Sequence, residues 1–237
     1  MGMSTGWALH LRRQYKMLAQ TLVRAQRYFP IIDPGARFLT AECTWIFSSG
    51  YRYQFGHCND PGDWDQYMSS EFSTILWDEL VQFQEEQYDQ IITRLRSSDP
   101  VLSRMLKVRA MSNPVMRREA TEDFAVHNPY WVRERFVEPC REGGKTLKRK
   151  LEMQDGSVEW VTMIYLPAKL SDNPDPAFVR SYEKQLQGAP HYIRRALLDG
   201  DWYVVAHSYF GAVWNERLHI CAPFKIPEEW AVCRSMD

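Results

Sequence analysis

Phe72-Ser73-Thr74-Ile75-Leu76-Trp77 is a short apolar run that stops at two adjacent acids, Asp78 and Glu79. A run this short, without polar alternation, is the pattern of a strand buried on both faces of a parallel sheet. In open α/β sheets, ligands bind just beyond the carboxyl ends of the strands. Two carboxylates at that place are well positioned to hold a divalent cation and to polarise a water. A plain strand end meeting solvent carries the same dipeptide, so the surrounding pattern has to decide.

That pattern is a βαβ unit. Between Glu85 and Leu95, the residues Tyr88, Ile91, Ile92 and Leu95 fall at i, i+3, i+4 and i+7, which predicts a helix with one buried stripe. Glu85 and Glu86 suit its first turn and Arg94 and Arg96 its last, and Ser97-Ser98-Asp99-Pro100 breaks it. A second strand, roughly Met105 to Met111, runs into Ser112-Asn113-Pro114. Such a crossover makes the two strands parallel with a right-handed connection. Asp78-Glu79 and Ser112-Asn113 are therefore expected on one rim of the sheet, in the geometry of a nucleotide site.

By length the chain suits one large α/β domain or one and a half, with two late helices as a linker subdomain. Leu9 to Leu11 predicts a strand, and Tyr15, Leu18, Leu22, Ala25 and Phe29 a helix ending near Pro30. Thr44 to Phe55, with its turn at Ser48-Ser49-Gly50, alternates aromatics as a hairpin does. These aromatics read as core rather than as a base-stacking platform. A second hairpin is expected from Lys148 to Met153 and Ser157 to Leu166, around Asp155-Gly156. Phe178, Tyr182 and Leu186 stripe one helix and Ile193, Ala196 and Leu197 the next, with Gly200 as a C-terminal cap.

Composition narrows the function classes. With 45% hydrophobic residues and nine tryptophans in 237 residues, the chain can build a sizeable core. The five cysteines are scattered without zinc spacing, which predicts reduced thiols, and the pair His57-Cys58 reads as structural. No stretch is apolar enough to span a bilayer, and no signal peptide is evident. A net charge of −1 gives no bulk pull on nucleic acid. Local basic clusters do exist: Arg94, Arg96, Arg104, Lys107 and Arg109; Arg117-Arg118; and Lys145 to Lys150.

The order TILWDEL, QYDQIITRLRS, MSNP, LPAKLSDNP and RRALLDGDW resembles the large subunit of a tailed-phage terminase, from Ala8 to Asp237. The resemblance implies a mostly parallel P-loop NTPase sheet of the RecA/ASCE kind over residues 1–170. A helical linker at 171–202 and the start of an RNase H-like nuclease at 203–237 would follow. It implies ATP and Mg²⁺ as cofactors, with Asp78 as the Walker B aspartate that holds the magnesium and Glu79 as general base toward the attacking water. Ser112 and Asn113 would sense the γ-phosphate. Arg12-Arg13 and Arg94 become candidates for contacts to the transferring phosphoryl group. Implied partners are double-stranded DNA, a portal protein and a small terminase subunit, in a ring oligomer in the host cytoplasm.

Departures from the family set further expectations. A phosphate-binding loop needs G-x-x-x-x-G-K-[ST]. The nearest approach, Pro139 to Thr146, lacks the first glycine and comes after Asp78-Glu79, so it reads as a loop leading into a hairpin. Asp237 would be the first metal-binding aspartate of the nuclease, and one aspartate does not make a two-metal site. The chain is thus expected to lack its phosphate loop and to bind ATP and Mg²⁺ incompetently when alone. It reads as a fragment of a DNA-packaging motor, truncated at both ends. The alternative is a non-catalytic remnant that binds DNA or packaging partners without hydrolysing ATP. Uncovered sheet would favour self-association.

Overall fold

The structure, a computed structural model, describes residues 6–60, 62–114, 128, 130–140, 143–204, 219, 221–222, 224–225, 227 and 229–230. Arg117, Arg118, Asp237 and most of the 203–237 segment lie outside the described residues.

The apolar runs assemble into one sheet. Strands β1 (Trp7–Arg12), β2 (Arg37–Leu39), β3 (Thr44–Ile46), β4 (Arg52–His57), β5 (Thr74–Asp78) and β6 (Lys107–Met111) lie in the order β2-β3-β4-β1-β5-β6. Strands β4, β1, β5 and β6 run parallel, and the β2-β3-β4 meander is antiparallel. The sheet is therefore mixed and mostly parallel, as the run before Asp78 predicts. Trp77, Ile75 and Phe72 are fully buried.

Two helices cover opposite faces, each over a different half of the sheet. Helix α2 (Glu85–Ile92) lays Tyr88 and Ile91 against Leu9, Leu11, Ile75 and Trp77. Helix α1 (Ala19–Ile32) packs Ala25 and Phe29 on the opposite face, against Trp45, Tyr53 and Phe55. The hairpin aromatics are thus core: Phe29 meets the rings of Trp45, Phe47 and Tyr53 at 5.3–5.5 Å. On the face that α1 covers only in part, Lys107, Arg109 and Met111 of β6 are exposed. Among the described residues no strand pairs with the outer edge of β6.

Three expectations are corrected. Tyr15–Leu18 is a 3-10 turn rather than the first turn of α1, and α1 runs two residues past Pro30 to Ile32. Helix α2 stops at Ile92, because Arg94 to Arg96 turn back as a strand-like strap on Phe72, through Phe72 N–H to Arg94 C=O at 2.9 Å and Arg96 N–H to Phe72 C=O at 3.1 Å. Residues Leu102–Arg104 form a 3-10 turn, so β6 begins at Lys107 rather than Met105.

Beyond the sheet, β7 (Thr146–Glu152) and β8 (Val158–Ile164) form a separate two-stranded antiparallel ribbon. Gly143 and Gly144, both with positive φ, lead into it, and no helix follows them. Helices α3 (Pro176–Leu186) and α4 (His191–Leu198) come next. Asp175 caps α3 by accepting from the N–H groups of Ala177 and Phe178. Gly200, at φ +64°, lies just past α4 as the expected cap.

Candidate functional site

Parallel register brings the two polar strand ends together. Strand β5 pairs with β6 from Thr74↔Lys107 to Asp78↔Met111, so Glu79 and Ser112 are the next residues out on neighbouring strands. Past Asp78 the backbone turns sharply. Glu79 sits at φ +59°, ψ +60°, in the left-handed region that non-glycine residues seldom occupy. Such conformations persist where surrounding contacts fix them, and these contacts come from β6. Asn113 Nδ2 donates to Glu79 Oε1 at 3.3 Å, its backbone N–H approaches Glu79 Oε2 at 3.5 Å, and Val81 N–H donates to Ser112 Oγ at 3.2 Å.

Asp78 faces the other way, toward β1. Ala8↔Thr74 and His10↔Leu76 are register partners, so Arg12, two residues on, lies level with Asp78 on the same face. Its Nε is 2.7 Å from Asp78 Oδ2, and His10 Nε2 is 3.7 Å from the same oxygen. Behind them His10 Nδ1 lies 2.9 Å from the hydroxyl of Tyr53 on β4. Burial, helped by the charges of Tyr51 and Asp78, pushes the Tyr53 phenol up to about 12, so it stays protonated. The direction of the hydrogen bond between the phenol and Nδ1 follows the imidazole tautomer. Burial opposes ionisation of Asp78, but His10 and Arg12 outweigh it and hold the carboxyl below its ordinary value.

The other arginines go elsewhere. Arg13 donates through Nη1 to the Gln82 carbonyl and through Nε to Asn59 Oδ1 at 3.4 Å, bracing the loop after β5. Arg94 donates to the Met68 carbonyl at 2.6 Å and lies beside Phe72, at the opposite end of β5 from Asp78.

Mg²⁺ is commonly bound through one or two carboxylates together with phosphate oxygens and waters, not by an all-protein cage. Asp78 and Glu79 are adjacent carboxylates of this rim, the first turned toward Arg12 and the second toward Asn113. Among the described residues no group of three or more His, Cys, Asp or Glu side chains is arranged to hold a metal. Sequence reasoning named Asp78, Glu79, Ser112 and Asn113 but missed His10 and Tyr53. A histidine inside the apolar strand Trp7-Ala8-Leu9-His10-Leu11 was the available signal.

Neither a family model nor a curated protein matches the sequence. Solved structures do. The large terminase of a thermophilic bacteriophage matches with a TM-score of 0.54 at 13% identity, covering 84% of this chain and 41% of that one. The fold is terminase-like. The same terminase in complex with ADP gives a TM-score of 0.53 at 14% identity, covering 84% of this chain and 40% of that one. The chain thus spans about two fifths of the length of the terminases it matches. Among the described residues no helix is long and apolar enough to cross a membrane.

Proposed function

We propose that this chain is the acid-bearing part of a terminase-type motor that drives double-stranded DNA into viral procapsids at the expense of ATP, in the host cytoplasm. The observation that supports this best is the Glu79–Asn113 contact, which ties the acidic strand end to the polar end of the neighbouring parallel strand on one rim. Bound there with triphosphate, magnesium would neutralise charge on the β- and γ-oxygens. Asp78 would hold the ion. Glu79 would accept the proton of the attacking water, with its carboxylate aimed by Asn113. Ser112 and Asn113 would register the departure of the γ-phosphate, because both contact the turn that carries Glu79. A portal protein, a small subunit and ring neighbours would be the partners of the whole assembly.

A second reading has its own support. Asp78 already carries an arginine and a histidine, as a structural acid does, so a non-catalytic chain that holds DNA or packaging partners is the alternative. The second of two measurements separates them. The purified chain alone should hydrolyse Mg²⁺-ATP no faster than its Glu79→Gln variant. Joined to any in-frame segment encoded just upstream that carries G-x-x-x-x-G-K-[ST], it should hydrolyse ATP, and Glu79→Gln should slow this by about 10²–10⁴-fold. Hydrolysis indifferent to that substitution would sink the motor reading. Absence of any such segment would leave the non-catalytic one.

A further inference from the structure

We infer that Arg12 is the resident counter-ion of Asp78 and is exchanged for a divalent cation when one binds. The inference rests on the reading of Asp78 as the metal-holding residue and adds what occupies that carboxylate beforehand. The Arg12 guanidinium approaches Oδ2 to 2.7 Å, and His10 sits behind the same oxygen at 3.7 Å. A guanidinium and a doubly charged ion compete for one carboxylate, because like charges a few ångströms apart repel strongly in a partly buried site.

The geometry separates the two neighbours by mobility. His10 is 7% exposed and fixed from behind by Tyr53 at 2.9 Å, so it stays in place. Arg12 is the last residue of β1, its side chain is 23% exposed, and it has a long flexible stem. It is the member of the pair with room to leave. In the cation-free protein, Arg12 neutralises Asp78 and ties β5 to β1. In the loaded protein it is released at the rim, where the triphosphate would lie. Exchange of this kind weakens binding of the bare cation and favours cation that arrives with phosphate, whose negative charge then accommodates the freed arginine.

Mn²⁺ binding to the full chain, followed by electron paramagnetic resonance of the free ion, tests this in wild type, Arg12→Gln, Asp78→Asn and the double variant. Arg12→Gln should bind Mn²⁺ at least about tenfold more tightly than wild type, and both Asp78→Asn chains should lose that binding. Equal affinity of wild type and Arg12→Gln, with loss in Asp78→Asn, would overturn the exchange while leaving Asp78 a metal residue. Binding unaffected by Asp78→Asn would overturn the metal reading and the exchange with it, and absence of binding in Arg12→Gln would overturn the exchange. Should Arg12→Gln fail to fold, the Nε–H resonance of Arg12 in the wild-type chain gives the answer. It should move progressively on titration with Mg²⁺, and a resonance unchanged at saturating Mg²⁺ would overturn the exchange.

Discussion

The side-chain amide of Asn113 donates to Glu79 Oε1 across 3.3 Å, joining the polar end of one strand to a glutamate in left-handed backbone at the end of its neighbour. Replacing the amide by a second carboxylate makes this contact repulsive. In Asn113→Asp, one of the two acids has its folded-state pKa raised, so the folded chain binds more protons than the unfolded one and stability falls as pH rises. Both groups are partly solvated, so the loss relative to Asn113→Ala should be only about 0.5–1 kcal/mol at pH 7. It should vanish near pH 3, as measured by urea midpoints.

Gln87 is fully buried at the start of α2. Its Oε1 accepts from Gln84 N–H, and its Nε2 faces the carbonyls of Cys58, Asn59 and Asp60 at 3.3–3.5 Å. Gln87→Met keeps the volume but leaves these groups without a partner. The expected cost is about 1–3 kcal/mol in a denaturant titration.

Gly200 combines φ +64° with a close approach in which a Cβ would meet the Ala168 carbonyl oxygen at 2.5 Å. The neighbouring Asp201 pairs with Arg195, and Trp202 meets the Tyr165 ring edge-on at 6.5 Å. Gly200→Ala should destabilise this corner by about 1–3 kcal/mol. Faster amide hydrogen exchange in α4 would report it.

Asp33, just past α1, accepts from the hydroxyl and the N–H of Ser48, and these bonds hold its carboxyl below its ordinary value of 3.8. A lowered folded-state pKa gives stability that is present above the unfolded value and lost as pH falls through the folded one. Asp33→Ala should therefore lower the melting temperature at pH 6 and leave it nearly unchanged at pH 2.

Strand β6 exposes Met111, and the turn before it exposes Val101 and Met105. Among the described residues no strand covers this edge, and an edge of this kind invites pairing. Sedimentation velocity should show concentration-dependent association, reduced when Met105 and Met111 are both replaced by lysine. A single monomeric species in the unmodified chain at high concentration would count against it.

What the sequence determined on its own is local and periodic. The unbroken apolar run before Asp78 required a buried strand, and the helical stripe after it required a crossover. Parallel pairing then carried Ser112 and Asn113 to the rim beside Glu79. Turn glycines such as Gly50, Gly156 and Gly200 were legible for the same reason: backbone conformation there depends on near neighbours. Tertiary structure alone decided what each charged group faces. Arg12 is 66 residues from Asp78, and their meeting depends on the register of β1 against β5, which places Ala8 opposite Thr74 and so Arg12 level with Asp78. Tyr53 reaches His10 only because β4 flanks β1 on its other side. Register is set by the packing of whole faces, and no window of sequence contains both partners of such a pair.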